Sequence, residues 1–331
     1  MNNKNQPNIE ESPLFWPARF DGKILHVLDE TLIPKKLHYI KVKSADEAIT
    51  VIRDMKTRAF GQFLVVLNAF LLELERGKDL SATDLVAKIE ETAQAFNKSR
   101  PTFPFAEVTS IVVAWAKGAL AKDEDVKTFV SKNIHGYLQG IRYRRLERVQ
   151  KIADLIKNGD SILTHCNVSG ELAMAAKICQ QQKKKINFFA TETRPYLQGT
   201  KLTCWELKKM GADVTLIADN AVGSVMADGL VNKVIVGSDR SCANGDFANK
   251  IGTYQIAVLA KEFEIPFYVL TQPSSKIACG EDIPIEIRDE KELLNFERKP
   301  ITKAKVKGFY PGFDVVSHEL ITQAVAINAG Q

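Results

Sequence analysis

Apolar side chains recur every three or four residues, the period of a helix, from Ser44 to about Asn158. Serine residues typical of helix N-caps precede two of these periodic stretches, at Ser44 and Ser81. Gly77 follows the end of a strongly apolar stretch, where a glycine commonly ends a helix. A long helix over residues 122–157 is predicted to close the region. The pattern therefore predicts a succession of α-helices.

Two short β-like segments precede the helical region, and Asp21-Gly22 lies between them. This dipeptide is typical of tight turns, so a small hairpin is predicted. Residues 1–13 are polar and are predicted to be a disordered tail. Residues 14–158 are therefore predicted to form a mainly helical N-terminal domain that carries a β-hairpin.

From Asp160 onward the rhythm changes to strand, loop and helix, which defines a second predicted domain over residues 159–331. The predicted strands lie near residues 161–165, 187–191, 213–218, 233–237 and 266–270. Such α/β alternation predicts a parallel sheet with helices on both faces. No GxGxxG loop opens the domain, so no dinucleotide is implied. Residues 313–328 are predicted as a last strand-like stretch followed by a helix.

Polar residues stand just past four of these strands: Cys166, Glu192 with Arg194, Asp219, and Asp239. In an open parallel sheet, ligands bind outside the carboxyl ends of the strands, so a thiol and carboxylates there indicate an enzyme site. Helix capping by short polar residues is the alternative. Capping explains any one of these residues, but it explains all four strand ends less well.

One histidine, His165, lies beside the suspected site, directly before Cys166. Successive side chains on a strand point to opposite faces. The two side chains are therefore not expected to form a Cys–His pair.

The composition narrows the class of protein. With 331 residues the chain is expected to have two domains. Its five cysteines show neither a CxxC pair nor metal-ligand spacing, which is typical of reduced intracellular thiols. There is no apolar signal core at the N-terminus and no apolar stretch long enough to span a bilayer. The expectation is a cytoplasmic protein with no membrane association, no metal and no cofactor.

The charge pattern is compatible with a small phosphorylated substrate. The formal net charge is +5, which is mild. Two basic runs, at 142–145 and 183–185, lack interleaved stacking aromatics beyond Tyr143 and are interpreted as solvated helix faces. No nucleic-acid partner is therefore expected.

Five motifs occur in one order and together carry a family resemblance. They are THCN (164–167), ETRPYLQGTKLTCWEL (192–207), GSDRSCANGDFANKIGTYQ (237–255), IPIEIRD (283–289) and FDV (313–315). The set resembles the methylthioribose-1-phosphate isomerase family, which shares a superfamily with ribose-1,5-bisphosphate isomerases and regulatory subunits of a translation initiation factor. The resemblance covers nearly the whole chain. It implies a Rossmann-like C-terminal domain after a helical one, a homodimer, and interconversion of an aldose 1-phosphate and a ketose 1-phosphate.

The resemblance also implies a catalytic pair. Cys166 matches the family's catalytic cysteine, and a position near a helix N-terminus would lower the pKa of its thiol. A buried core thiol is the alternative, which fits Cys179 and Cys204 better. Asp239 matches the family's proton donor, whose pKa would be raised in a closed, partly apolar pocket. For Asp239 the alternative is an N-cap of the next helix.

Other residues match substrate-binding positions of the family. Arg100, in the segment SRPTF, suits bidentate contact with phosphate. Gln198 would hydrogen-bond sugar hydroxyls. Asn249 and Lys250 match a pair at a helix start, where backbone N–H groups favour anions. A surface or structural role is the alternative for each of them.

One segment departs from the family. Its Arg-Gly-Ala-Pro-Ala-Ile-Gly segment, which holds substrate, corresponds to residues 58–64 here, RAFGQFL. Arg58 is kept, Ala59 replaces a glycine and restricts backbone approach, and Phe60 and Gln62 enter nearby. One hypothesis is that the pocket is reshaped and methylthioribose 1-phosphate is not the best substrate. The other is that Phe60 faces the helical core.

Taken together, the residues at the strand ends indicate an enzyme, and the resemblance implies an aldose–ketose isomerase that needs neither metal nor cofactor. Its substrate would be methylthioribose 1-phosphate or a related 5-substituted ribose 1-phosphate, in methionine salvage or a neighbouring pathway. The alternatives are a ribose-1,5-bisphosphate isomerase and a non-catalytic, ligand-sensing protein like the initiation-factor subunits. The pair Cys166 and Asp239 favours an enzyme, because a purely regulatory relative would not be expected to keep both.

Overall fold

The computed structural model describes residues 9–100, 103–272, 276–297 and 299–327. The chain forms two compact units, Pro13–Tyr143 and Arg144–Gln331, and Met1–Ser12 belongs to the second. This division falls inside the longest helix. The sequence predicts the domain boundary after residue 158, and that boundary stays a prediction.

The first unit is mainly helical, as predicted, but its β element has three strands where a hairpin was expected. These strands are antiparallel in the order β1-β2-β3, with bounds β1 Ala18–Phe20, β2 Leu25–Leu28 and β3 Tyr39–Val42. The predicted turn is present. The Asp21 carboxylate accepts hydrogen bonds from the backbone N–H groups of Lys23 and Ile24, and Gly22 has φ +97°. A glycine is favoured there because that region is costly for other residues.

The helices of the first unit begin and end where the sequence signals them. Ser44 and Ser81 cap two helices by accepting from backbone N–H groups three residues later, and Gly77 ends a third. The helices are α1 Ala45–Arg53, α2 Ala59–Arg76, α3 Ala82–Ser99, α4 Phe105–Ala121 and α5 Val126–Leu155, the last running into the second unit.

Helix α2 is the core of this unit, and all of its side chains from Leu64 to Leu74 are buried. Asn68 and Glu73 are the polar residues in this buried stretch, and the Asn68 amide is bonded at both ends. It accepts from the backbone N–H of Phe20 at 3.1 Å and donates to the backbone oxygen of Leu64 at 2.7 Å. A buried amide with both ends bonded costs little, so it is tolerated there.

The second unit contains a six-stranded, wholly parallel sheet in the order β14-β10-β7-β4-β5-β6. The strands are β4 Ser161–Thr164, β5 Asn187–Thr191, β6 Asp213–Ile217, β7 Lys233–Gly237, β10 Phe267–Thr271 and β14 Gln323–Ala326. The first three strands run outward from β4 in one direction and the later three run outward in the other. This is the doubly wound arrangement, with the reversal of strand order between β4 and β7.

Shorter elements complete the second unit. Its helices are α6 Glu171–Gln181, α7 Cys204–Lys209, α8 Val222–Ala227, α9 Thr253–Glu262 and α10 Glu290–Leu294. A small antiparallel sheet has the order β13-β9-β8, with β8 Arg240–Ser241, β9 Phe247–Lys250 and β13 Phe313–Val316. A two-stranded ribbon pairs β11 Asn295–Phe296 with β12 Lys299–Pro300.

The predicted C-terminal helix is wrong. After β13 and a short 3₁₀ turn at His318–Leu320, the chain forms strand β14, which pairs with β10 in parallel. Hydrogen bonds to β10 stabilise the extended conformation of residues 323–326, because pairing with a neighbouring strand overrides a weak local preference for helix.

The tail predicted to be disordered, residues 1–13, is ordered near its C-terminal end. Residues 1–8 lie outside the described residues. Ser12 is buried, and its hydroxyl donates to a carboxylate oxygen of Glu206 at 2.9 Å. The segment is therefore ordered at Ser12.

The interpretation of the basic run 142–145 as a solvated face is wrong for Arg145, which is 1% exposed. Arg145 and Arg148 on α5 both bind the buried carboxylate of Glu171 on α6, each with a nitrogen–oxygen distance of 2.6 Å. Burial opposes ionisation of Glu171, but the two guanidinium groups outweigh it and hold the pKa of this carboxyl below its usual value. Within the described ranges, no helix is both long and apolar enough to cross a membrane.

Candidate active site

The two predicted catalytic residues follow the two strands that flank the reversal of strand order. Cys166 comes just after β4, and Asp239 comes just after β7. β4 and β7 are parallel neighbours, with Leu163 opposite Val234. Parallel neighbours end at the same edge of the sheet, and this crevice is where doubly wound sheets bind ligands.

Cys166 is held in an unusual backbone conformation. Its φ is +60°, in the left-handed region that non-glycine residues rarely adopt. Its N–H donates to the Thr193 hydroxyl at 3.0 Å, and its carbonyl accepts from the Thr203 hydroxyl at 2.5 Å. Such conformations cost about 1–3 kcal/mol and are concentrated at functional sites. These bonds hold the main chain from which the half-buried thiol projects.

His165 does not pair with Cys166, as predicted. Its Nδ1 lies 2.6 Å from the Thr191 hydroxyl, and its Nε2 lies 2.9 Å from the carbonyl oxygen of Ile251. A carbonyl only accepts, so Nε2 carries the hydrogen and Nδ1 accepts from Thr191. Burial lowers the pKa of His165 to about 4. The ring is therefore neutral at neutral pH, and both of its nitrogens are occupied.

Asp239 is exposed, so the expectation of a closed pocket around its side chain is wrong for this structure. The strand before it is buried, at Val234 and Val236, but the chain leaves the sheet at Gly237. The backbone N–H of Asp239 donates to Ala248 O at 2.9 Å, which begins the pairing of β8 with β9. The element that follows is a strand, so Asp239 does not cap a helix.

Asn249 and Lys250 lie on strand β9, and their predicted position at a helix start is wrong. Antiparallel pairing with β13 places Asn249 opposite Asp314 and keeps the segment extended. Helix α9 starts only at Thr253, whose hydroxyl accepts from the Asn249 side chain at 3.0 Å. Both predicted residues are buried, so a surface role is excluded for them.

The Lys250 ammonium is surrounded by aromatic rings. It lies 4.9 Å from the ring centre of Phe313, 5.9 Å from that of Tyr310 and 6.0 Å from that of Tyr196. Its Nζ also donates to Gly312 O at 3.0 Å. Ring faces stabilise a buried cation, so this environment keeps an ammonium group at the site.

Gln198 is 5% exposed, and its side-chain oxygen has no hydrogen-bond partner among the described residues. It precedes a π-helical turn at Gly199–Thr203, a feature common at functional sites. A Cβ on Gly199 would lie 1.7 Å from Thr191 O, so only glycine fits. A buried amide oxygen left open in this way supports the predicted role in binding sugar hydroxyls.

Asp314, in the sequence motif FDV, was not assigned a role from the sequence. Asp314 accepts from the backbone N–H of Gly252 at 2.7 Å, at the start of α9. Burial raises the pKa of Asp314 to about 6, although backbone N–H groups oppose the shift. Its second oxygen has no partner among the described residues. The pairing of β13 with β9, which brings it here, has no local signal.

In the helical unit, the segment that departs from the family forms the start of α2. Arg58 is the N-cap residue, and Ala59 and Phe60 are the first helical residues. The backbone N–H of Arg58 donates to the buried carboxylate of Glu30 at 3.1 Å. Ala59 lies in an ordinary helical conformation, where alanine is favoured. The role of Arg58 and Ala59 in binding substrate stays a prediction.

Phe60 packs within an aromatic cluster of the same unit. Its ring centre lies 5.8 Å from that of Trp16, in an edge-on arrangement, and 6.2 Å from that of Phe63, in a stacked one. Such pairs are stabilising beyond the area they bury. This geometry favours the interpretation that Phe60 serves the helical core.

Gln62 has a function that the sequence did not reveal. It is fully buried, its amide nitrogen donates to Thr57 O at 2.9 Å, and its oxygen accepts from the Arg100 guanidinium at 2.9 Å. The ring of Phe103 lies 5.0 Å from the same guanidinium. Pro101 and Thr102 of the predicted Arg-Pro-Thr segment lie outside the described residues. Gln62 thus orients Arg100, the predicted phosphate ligand.

Replacing Phe60 by alanine is expected to lower the free energy of unfolding by about 2 kcal/mol, because it removes a half-buried ring from a packed cluster. Discrimination between methylthioribose 1-phosphate and ribose 1-phosphate should stay within about tenfold. Urea unfolding and kcat/KM for both compounds would test this. A shift in discrimination of about 10–200-fold, the usual scale for reshaping an apolar pocket, would instead establish a specificity role.

The described part of the chain shows no cluster of three or more side chains arranged to hold a metal ion. The expectation of a metal-independent reaction rests on the ligand spacing in the sequence. Dialysis against a strong chelator is expected to leave the turnover rate unchanged. A rate that is lost on chelation and restored by one divalent ion would contradict this.

Comparison with known proteins adds independent findings. A family model described as the initiation factor 2 subunit family matches residues 62–328. Methylthioribose-1-phosphate isomerase of Thermosipho africanus is 39% identical, over 92% of this chain and 91% of that protein. The protein of the same name from Desulforudis audaxviator is 37% identical, over 96% and 93%.

Two solved structures resemble nearly the whole chain. The crystal structure of 5-methylthioribose 1-phosphate isomerase from Pyrococcus horikoshii has a TM-score of 0.85 at 28% identity, over 97% of this chain and 94% of that one. Translation initiation factor eIF-2B, subunit delta, from A. fulgidus has a TM-score of 0.80 at 31% identity, over 95% and 94%. The likeness therefore extends to proteins named as enzymes and to proteins named as initiation factors.

Proposed function

The chain belongs to the initiation factor 2 subunit family, with curated relatives named methylthioribose-1-phosphate isomerase, and on that premise we propose that it interconverts an aldose 1-phosphate and a ketose 1-phosphate. The names of these relatives support a sugar-phosphate isomerase. The substrate proposed for this chain is methylthioribose 1-phosphate or another ribose 1-phosphate substituted at C5. We also propose that the protein acts in methionine salvage, that it is located in the cytoplasm and that it forms a homodimer.

One observation carries the proposal: Cys166 and Asp239 follow the adjacent strands β4 and β7 at the reversal of strand order. A thiol and a carboxyl group at one sheet edge can supply the base and the acid that isomerisation requires. Hydrogen bonds hold the main chain of Cys166 on both sides, so the backbone that carries the proposed base is in place before substrate binds. His165 is neutral and both of its ring nitrogens are hydrogen-bonded, so Cys166 and not His165 is the proposed base.

The surrounding groups suit a phosphorylated sugar. The buried Lys250 ammonium supplies positive charge for an anion, and the open side-chain oxygen of Gln198 can accept from a sugar hydroxyl. In this reaction the ring of the cyclic substrate opens before C1 and C2 exchange oxidation state. Asp239 is the proposed donor of the proton to the ring oxygen; because its side chain is exposed, the proposal requires bound substrate to cover it.

A non-catalytic, ligand-sensing function is the second candidate, and the likeness to the A. fulgidus protein favours it. The two functions differ in turnover, because a sensor binds a sugar phosphate and releases it unchanged. The decisive experiment is an isomerase assay over ribose 1-phosphates that differ at C5, including methylthioribose 1-phosphate and ribose 1,5-bisphosphate, with products identified by NMR. Ketose 1-phosphate formed from any of them supports the enzyme. Binding without conversion across the whole panel would establish the sensor.

A further inference from the structure

Tyr310 carries a buried hydroxyl group that the fold leaves open. The residue is 3% exposed, and its hydroxyl has no hydrogen-bond partner among the described residues. Buried tyrosine hydroxyls usually find a partner, because an unmade hydrogen bond costs about 1–3 kcal/mol. Neighbouring Tyr196 follows that rule, since its hydroxyl accepts from the Arg288 guanidinium at 2.7 Å. An open hydroxyl at Tyr310 therefore needs an explanation.

The surroundings of Tyr310 are those of the candidate site. Its ring centre lies 5.9 Å from the Lys250 ammonium and 6.5 Å from the ring centre of Tyr196. Burial is the main cause that raises the pKa of Tyr310. Lys250 leads directly into Ile251, whose carbonyl oxygen accepts from His165, the residue before Cys166. The Tyr310 side chain therefore lies beside the buried cation, whose chain segment also reaches the residue before the proposed base.

The main chain holds Tyr310 firmly in this place. Its carbonyl oxygen accepts from the backbone N–H of Arg288 at 2.9 Å, and the next residue, Pro311, forms a β-bridge with Ile287. Gly312 donates to Glu286 O at 2.9 Å and accepts from the Lys250 side chain. A side chain anchored on both flanks is oriented before any ligand binds.

We propose that the Tyr310 hydroxyl donates a hydrogen bond to the substrate oxygen at the carbon that faces Cys166, which makes Tyr310 a further catalytic residue. This inference rests on the proposed isomerase function. With its raised pKa the phenol stays protonated at neutral pH, so it serves as a donor and not as a base. A donor placed in advance stabilises charge that develops on that oxygen in the transition state.

The reaction balances without a proton from Tyr310. The bond between C1 and the ring oxygen breaks, and the ring oxygen gains a proton. A hydrogen moves from C2 to C1, and the C2 hydroxyl loses its proton as it becomes a carbonyl. No electrons enter or leave, and the phenol contributes only its hydrogen bond.

The test is Tyr310→Phe, which removes the hydroxyl and keeps the ring. Because one transition-state donor is lost, kcat/KM is expected to fall about 10²-fold on the substrate that the wild type converts best. The melting temperature should not fall, because the hydroxyl removed makes no bond in the folded chain. Tyr254→Phe is the matched control, since this half-exposed residue of α9 loses the same group at the surface.

Two results would overturn the inference while leaving the isomerase function intact: an unchanged kcat/KM, or a reduced kcat/KM accompanied by a lower melting temperature. Calorimetric titration with ribulose 1-phosphate measures binding without turnover. Tyr310→Phe should raise the Kd for this compound about tenfold. A wild type that neither converts the panel nor binds ribulose 1-phosphate would reject the proposed function, and this inference with it.

Discussion

Replacing Cys166 by serine or Asp239 by asparagine is expected to lower kcat by about 10² or more, the usual scale for losing a general acid or base. Each change keeps the shape of the side chain and removes its proton chemistry. Both variants should fold and still bind substrate, because the bonds that hold Cys166 come from its main chain. Steady-state kinetics on the substrate identified from the panel would measure the effect.

Two variants in the same unit serve as controls for this experiment. Cys279→Ser changes a half-buried thiol at the start of a short 3₁₀ turn, and Asp213→Asn changes an exposed carboxylate on β6. Both should keep the wild-type kcat. Near-wild-type turnover in Cys166→Ser or in Asp239→Asn would show that the assigned role is wrong.

The second large effect concerns stability. Glu171→Gln is expected to lower the free energy of unfolding by about 3–5 kcal/mol, because it leaves the buried guanidinium groups of Arg145 and Arg148 without their carboxylate. Urea unfolding would measure the loss. Asp213→Asn breaks an exposed pair with Lys208 and should cost at most about 1 kcal/mol.

A triple variant separates the cost of an unpaired charge from lost packing. Replacing Arg145, Arg148 and Glu171 together by apolar residues of similar volume should recover most of the stability, because it removes all three charges. A loss below about 1 kcal/mol in Glu171→Gln would contradict this account of the cluster.

Local patterns in the sequence predicted much of the fold. The caps at Ser44 and Ser81 and the end of α2 at Gly77 are confirmed, because capping depends on residues within one turn of each helix end. The five strands predicted for the central sheet are present, with ends shifted by at most one residue. Their α/β alternation was sufficient to predict a parallel sheet.

Features that depend on distant partners could not be predicted. Strand β14 was predicted as a helix, because its pairing with β10 has no local signal. Asn249 was placed at a helix start, although pairing with β13 makes it part of a strand. The contact between Gln62 and Arg100 joins side chains far apart in sequence. For the same reason, the apolar strand before Asp239 did not predict that its side chain is exposed.

The sheet order also affects how this unit folds during synthesis. Central strand β4 is made early, but its neighbour β7 begins only at Lys233, and β10 lacks its outer partner until residues 323–326 have been made. The nascent chain must therefore expose apolar strands before their partners exist. Non-local pairing of this kind slows folding and exposes strand edges to aggregation. The yield of active protein should therefore respond to translation speed and to chaperone supply more than the stability of the finished fold would suggest.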